Sequence, residues 1–271
     1  MKSSKECKSP LRWVGGKTRA IKLMAQIIPD RPEIISPFFG GGSYEIAMAQ
    51  AGKIVHGYDA DPALVAFWQE AIADPEGLAD RVRRYGQMDK QKFRILKSEM
   101  KNGKMSRQEL AAGLFVVNRC ARAGNIHNGG FNNPLKIPAY ERFTPSSIAK
   151  LAAFKVPNLT VERADFRDSL AAHPNAFPVA DPPYDIKAIL YRGHDGFPHE
   201  ELAKILKARG DFVCCYNDDS FVRDLYAGCK FVKVGWAYGM SPKVCDGAKK
   251  SDEVLIFGRD TVPRLKDPMR I

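Results

Sequence analysis

Asp181-Pro182-Pro183-Tyr184 directly follows the apolar run FPVA, and these four residue types together suit one kind of chemistry. An amine attached to an aromatic ring is a poor nucleophile, because its lone pair is delocalised into the ring. The Asp181 carboxylate and the Pro182 carbonyl offer two acceptors for its hydrogens, which would draw the lone pair out of conjugation and aim it at an electrophile. Neither proline carries an N–H donor and both stiffen the turn, so the carbonyls are left to face a substrate. The Tyr184 ring presents a face on which an extruded base can stack, worth about 1–3 kcal/mol per base in nucleic-acid complexes. In isolation the same residues also make a plain Pro-Pro turn beside a solvated Asp. A strand end favours the chemical reading, since side chains there project into the ligand crevice of an open α/β sheet.

A second group, Pro37-Phe38-Phe39-Gly40-Gly41-Gly42-Ser43, lies between an apolar run and a helical one. Glycines at such a turn allow a cofactor to approach the backbone near a helix N-terminus. It is not the dinucleotide fingerprint, because the third glycine of G-x-G-x-x-G falls on Glu45. Asp59 closes the next apolar run, KIVHGY, where an acid in this architecture binds ribose hydroxyls. Turn and acid together point to an adenosine-containing cofactor. Nearer the start, Gly15-Gly16-Lys17-Thr18 imitates the end of a triphosphate-binding loop. That reading is excluded: the required first glycine is Leu11, and no strand precedes it.

The elements that must carry these residues alternate in type. A helix is expected over about residues 18–28, stopped by Pro29, then a strand EIISPFF and a helix SYEIAMAQAG opened by a Ser43 cap and ended by Gly52. A strand KIVHGYD and a helix PALVAFWQEAIA, capped by Asp61-Pro62, complete the first half of a doubly wound sheet. Over residues 75–154 the pattern is helical and basic and leads into an Asn- and Gly-rich loop, GNIHNGGFNNP. Strands then return as LTVERA, FPVADPPY, DFVCCYN, CKFVKVGWAY and DEVLIFG, with PHEELAKILKA among the helices. The fold class expected is α/β, a doubly wound mixed sheet with an inserted, mostly helical recognition domain. Residues 1–74 and 155–271 form the cofactor-binding catalytic domain, and 75–154 the insertion.

The net charge of +11, from 42 Lys+Arg against 31 Asp+Glu, suits a protein lying along a phosphate backbone. Between residues 80 and 104 lie Arg83 and Arg84 among nine Arg and Lys side chains with few acids, a candidate phosphate-facing surface. The loop that follows brings Asn residues, whose amides can pair with adenine in the major groove. The six cysteines show no C-x-x-C pair, which argues against structural zinc and a disulfide framework and for a reducing compartment. No apolar run is long enough to span a bilayer and no signal peptide is read at the start, so an intracellular, cytoplasmic protein is expected, without membrane or metal. Oligomeric state is left open, a monomer being compatible.

Taken in order, Trp-x-Gly-Gly-Lys, Pro-Phe-x-Gly-Gly-Gly-Ser, the strand-end Asp, a long basic segment and Asp-Pro-Pro-Tyr resemble the Dam-type DNA adenine N6-methyltransferases. The order is that of the alpha group of amino-methyltransferases, and the resemblance spans residues 10–258. It implies S-adenosyl-L-methionine as cofactor and double-stranded DNA as partner. It also implies that Trp13, Lys17, Pro37, Phe38, Gly40, Gly42, Ser43 and Asp59 contact the cofactor, and that Asp181 is the catalytic acid lying beside it. Asn118-Arg119 resembles the opening of the family's recognition segment, with Arg122 just beyond. Phe131-Asn132-Asn133-Pro134 resembles its close, and Lys249-Lys250 the final Lys-rich loop. Two departures stand out. Ser36 occupies a position where many relatives carry an acid, and the stretch between Asn118 and Phe131 is shorter than in Dam, so GATC recognition is not implied. Methylation of cytosine N4, of RNA adenine or of a glutamine side chain, and non-catalytic DNA binding, are the alternatives; Asp at 181 favours the adenine reading.

Overall fold

The computed structural model describes residues 7–138, 141–183, 196–234 and 253–264. Within these, the chain runs α1 (Ile21–Ile27), β1 (Glu33–Ser36), α2 (Ser43–Gln50), β2 (Ile54–Asp59), α3 (Pro62–Ala73), α4 (Pro75–Arg83), α5 (Lys90–Lys101) and α6 (Arg107–Cys120). It continues through α7 (Pro145–Ala152), β3 (Leu159–Arg163), α8 (Phe166–Ala172), β4 (Phe177–Ala180), α9 (His199–Arg209), β5 (Val213–Asn217), α10 (Ser220–Leu225), β6 (Lys230–Val234) and β7 (Glu253–Phe257). The expected doubly wound mixed sheet is present. Its seven strands lie in the order β3-β2-β1-β4-β5-β7-β6, with β7 antiparallel to both neighbours and the rest parallel.

The burial pattern explains the layering. β4 and β7 are buried along their whole length, as strands covered on both faces must be. One face packs Phe39, Phe67, Trp68 and Phe115 from α3, α6 and the glycine turn. The other packs Phe166 of α8, Leu202 and Leu206 of α9, and Tyr226 just after α10. Helices α4 to α7 belong to the first cluster through Leu78, Phe93, Phe115 and Leu151, so the basic segment shares its core with the sheet. The strand order reverses at the β1/β4 junction, which opens a crevice at the carboxyl ends of the strands.

Local details correct three expectations. β1 stops at Ser36, before the Pro37 turn. α1 begins at Ile21, the preceding residues forming turns. Helix α2 is not capped by Ser43: Gly42, in the left-handed region at φ 60°, holds the N-cap position, and Ser43 is the first helical residue. Asp61 does cap α3, accepting from the Ala63 and Leu64 amides at 2.8 and 3.1 Å. Among the described residues no helix is long and apolar enough to cross a membrane.

Candidate active site

Four chain segments converge at the carboxyl ends of β1 to β4. Together with the loop before α1 and the loop after α6 they line a crevice of about 960 Å³, at the upper end of the size range of small-molecule sites. The loop before α1 contributes Trp13 and Lys17, the turn after β1 contributes Pro37 to Ser43, and β2 ends in Asp59. Asp165 and Phe166 follow β3, and Asp181, Pro182 and Pro183 follow β4.

The glycine turn is held from inside. A Cβ on Gly41 would meet the Trp13 Cβ at 2.5 Å, and one on Gly42 would meet the Phe39 ring at 2.5 Å. A Cβ on Gly57 of β2 would likewise meet that ring, at 2.3 Å. These glycines therefore admit Trp13 and Phe39. Trp68 Nε1 donates to the Gly40 carbonyl at 2.9 Å, and the Ser43 and Thr18 hydroxyls meet at 3.0 Å, tying the turn to α3 and to the N-terminal loop.

Asp59 receives two backbone donors, the Gly40 amide on Oδ2 and the Asp61 amide on Oδ1, each at 3.0 Å. Burial outweighs them and pushes the carboxyl up to about 6. Lys17 is buried with its ammonium 2.9 and 2.8 Å from the two Asp181 oxygens and 3.8 Å from Glu253 Oε2. Burial alone would drive the ammonium to give up its proton, but Asp181 and Glu253 outweigh it and hold Lys17 well above its usual range. Asp181 is thus fixed by a charged, bidentate contact at the crevice floor. Phe38, Phe166 and Phe197 form an aromatic triangle on one wall, with centroids 5.6 to 5.9 Å apart.

Asp165, Phe166 and Phe197 are not among the residues the sequence singles out: β3 alternates buried and exposed residues and ends in Glu162-Arg163, so Asp165 does not close an apolar run as Asp59 and Asp181 do. Tyr184, Lys249 and Lys250 lie outside the described residues. Of the expected DNA contacts, Asn118 is corrected. It is fully buried, donating to the Arg12 and Gly124 carbonyls at 2.7 and 2.8 Å and accepting from the Arg12 amide at 2.9 Å. Its amide is consumed in joining the N-terminal loop to the turn after α6. Arg119 lies over the Phe115 ring; burial, with Arg12 and Arg142 nearby, lowers its guanidinium to about 10.

Arg122, Asn132 and the segment between them form a closed hairpin. The Arg122 amide donates to Gly130, the Asn132 amide to Cys120, and Ala121 bridges Phe131. Arg122 is exposed; Asn133 is half-buried and accepts from the Leu135 amide in a local turn. His127 in this hairpin lies 3.1 Å from the Asp61 carboxylate, which ties the hairpin to the start of α3. Arg83 at the end of α4 and Arg84 just after it are exposed, Arg83 paired with Asp80, and neither lines the crevice. The crevice rim is instead lined by Lys97 and Lys101 of α5. Both also line an adjoining groove with Lys90 and Arg94, a stripe at helical spacing. Away from the crevice, Glu33, His56 and His173 gather a carboxylate and two imidazoles. The rings stack at 4.0 Å, so their nitrogen lone pairs run side by side rather than converging.

The sheet order, the glycine turn and the strand-end acids define a Rossmann-like methyltransferase. Residues 13–240 match the D12 class N6 adenine-specific DNA methyltransferase family, and the chain belongs to it. It is similar to the DNA adenine methylases of Vibrio cholerae serotype O1, strains O395 and El Tor Inaba N16961. Each is 24% identical over 265 residues, covering 90% of this chain and 94% of the relative. The chain is a DNA adenine methyltransferase, and the family implies S-adenosylmethionine as methyl donor.

Proposed function

We propose that the protein transfers the methyl group of S-adenosyl-L-methionine to N6 of an adenine swung out of double-stranded DNA. The observation that carries this reading is the convergence of Asp59 and Asp181, from β2 and β4, on one crevice whose rim is the basic stripe of α5. The residues present suit the cofactor. Asp59 can accept from ribose hydroxyls, the aromatic triangle with Asp165 beside it suits an adenine ring, and the acids near Lys17 suit a cationic tail. When bound, the cofactor supplies a methyl group on a positively charged sulfur.

The chain's own residues hold and orient. Lys17 fixes the Asp181 carboxylate, which together with the Pro182 carbonyl accepts from the N6 hydrogens. Trp13, Pro37, Phe38, Gly40, Gly42 and Ser43 shape the cofactor wall. Pro183 holds the turn, and Tyr184 stacks on the flipped base. Flipping costs a few kcal/mol, recovered through such pocket contacts.

The α5 stripe tracks phosphates, from Lys90 to Lys101 over about 16 Å at 1.5 Å per residue. Arg119 with Arg12 and Arg142 forms a second cationic patch, and Lys249 and Lys250 are kept as further DNA contacts. The hairpin over residues 121–131 and Asn132 provide base readout, so the 75–154 segment acts as the recognition domain. The protein works in the cytoplasm, on DNA.

The test is incubation with tritiated S-adenosylmethionine and duplex DNA, single-stranded DNA or RNA, followed by nucleoside analysis. Label in N6-methyladenine from the duplex is expected. Label only in RNA, or only in N4-methylcytosine, would overturn the reading.

A further inference from the structure

Glu45 is an acid in the first turn of α2 that the roles above leave unused. It is buried, with a relative exposure of 7%, yet it lines the crevice beside Lys17 and Asp181. The Ser36 hydroxyl, at the end of β1, donates to its Oε1 at 2.9 Å. Burial pushes the carboxyl up to about 7, against the pull of its own backbone amide and of Ser36.

A buried carboxyl that could have been an apolar core residue costs stability unless something charged comes to meet it. The Lys17 charge reaches Glu45 and pulls its carboxyl down in part, but burial prevails. The Lys17 ammonium is engaged by both Asp181 oxygens and by Glu253, so among the described residues three carboxyls gather round one ammonium in this part of the site. Within a chain of net charge +11, this is a local excess of acid. An excess of acid on a crevice wall selects a cation.

We propose that Glu45, supported by Ser36, is the subsite for the α-ammonium of the methyl donor. This rests on S-adenosylmethionine being the cofactor. The ammonium, and not the sulfonium, is the matching group. It has three N–H donors that require acceptors, whereas a sulfonium has none to give. One Glu45 oxygen is taken by Ser36, and the carboxylate retains lone pairs for a second donor. Ser36 is a positioning residue: it acts only through the carboxyl. Because its hydroxyl lies 2.9 Å from Oε1, an acid carried at position 36 would reach the same volume.

Calorimetric titration of the intact protein tests this with three ligands: S-adenosylmethionine, S-adenosylhomocysteine (the thioether that keeps the ammonium) and methylthioadenosine (which lacks it). Glu45→Gln should weaken the first two by tenfold or more and leave methylthioadenosine within about twofold. Binding of the first two to the wild type should release protons near pH 7, seen as a dependence of the heat on buffer ionisation enthalpy, and Glu45→Gln should abolish the release. The double variant Ser36→Glu with Glu45→Gln should recover most of the affinity. Equal weakening of all three ligands, weakening confined to S-adenosylmethionine, or unchanged affinity throughout would each overturn the proposal. Wild-type protein that binds none of the three would instead overturn the choice of cofactor.

Discussion

The Lys17 ammonium lies 2.9 and 2.8 Å from the two oxygens of Asp181, joining residues 164 positions apart in the sequence at the crevice floor. Lys17 belongs to the loop before α1 and Asp181 to the end of β4, so the N-terminal loop directly sets the orientation of the proposed catalytic acid. This contact leads to the first prediction. Asp181→Asn keeps the shape and one acceptor but loses the charge, and transfer should fall by about 10²–10³, the usual cost of removing one preorganised electrostatic group. Lys17→Met should lower turnover more than it weakens cofactor binding. A tritiated-methyl assay in which Asp181→Asn retains near wild-type turnover would sink the mechanism.

Asp59, as the proposed ribose ligand, should make cofactor affinity depend on pH. Its carboxyl is raised to about 6, chiefly by burial, and ribose hydroxyls donate best to the ionised form. Affinity should therefore strengthen as pH rises from 5 to 7 and level off above. Folding has the opposite sign. The folded state holds this proton where the unfolded chain, near 3.9, has lost it, so the contribution of Asp59 to stability declines as pH rises through the window between those values. Asp59→Asn should flatten the binding profile and lower affinity at neutral pH by up to about 1.5–3 kcal/mol per charged hydrogen bond lost. Calorimetry at several pH values decides it; a flat wild-type profile would mean the ribose lies elsewhere.

Duplex affinity should carry the signature of the α5 stripe. If Lys90, Arg94, Lys97 and Lys101 each neutralise a phosphate, they contribute about −3.6 to the slope of log affinity against log salt. The Lys97 ammonium donates to the His127 and Gly129 carbonyls at 2.8 and 3.4 Å, and burial together with the nearby Lys101 lowers it below the usual range. Replacing the four by Gln should flatten the slope by that amount. Replacing Arg83 and Arg84 should change it by less. Anisotropy measurements across a salt series showing the reverse order would move the DNA track to α4.

Asn118 and Gly129 should separate fold from recognition. Asn118→Ala strands buried partners of three hydrogen bonds, at about 1–3 kcal/mol for each group left unsatisfied, and should lower Tm by several degrees. At Gly129 a Cβ would come within 2.3 Å of the Asn125 carbonyl. Gly129→Ala should distort the hairpin and change which sequences are methylated while Tm stays close to wild type. Modification-sensitive sequencing of exposed DNA reads the second effect; an unchanged target would exclude the hairpin from base readout.

Much of the site is local and hence visible in one dimension. Asp59 and Asp181 could be placed because each ends an apolar run, and period and length identify a strand end without knowledge of its neighbours. Asp61-Pro62 declares a helix start by its own side-chain chemistry. The alternation of strands and helices points to a doubly wound sheet, because a parallel pair must be joined by a crossover.

What only the tertiary structure decided concerns partners far apart in sequence. Asn118 reads as a surface amide from its type and its place in a motif; that it is consumed by Arg12 and Gly124 depends on a loop more than 100 residues away in sequence. A glycine turn announces close approach but not of what, and here the approaching groups are Trp13 and Phe39. Basic residues fall on both α4 and α5; which helix borders the crevice is settled by how each packs against α6 and the sheet. Ser36 and Glu45 look like a missing acid and an unremarkable helix residue until the turn between them folds back and brings them within 2.9 Å. Side-chain type and period are properties of neighbours along the chain, whereas burial, charge pairing and access arise only once the sheet has gathered distant segments at its edge.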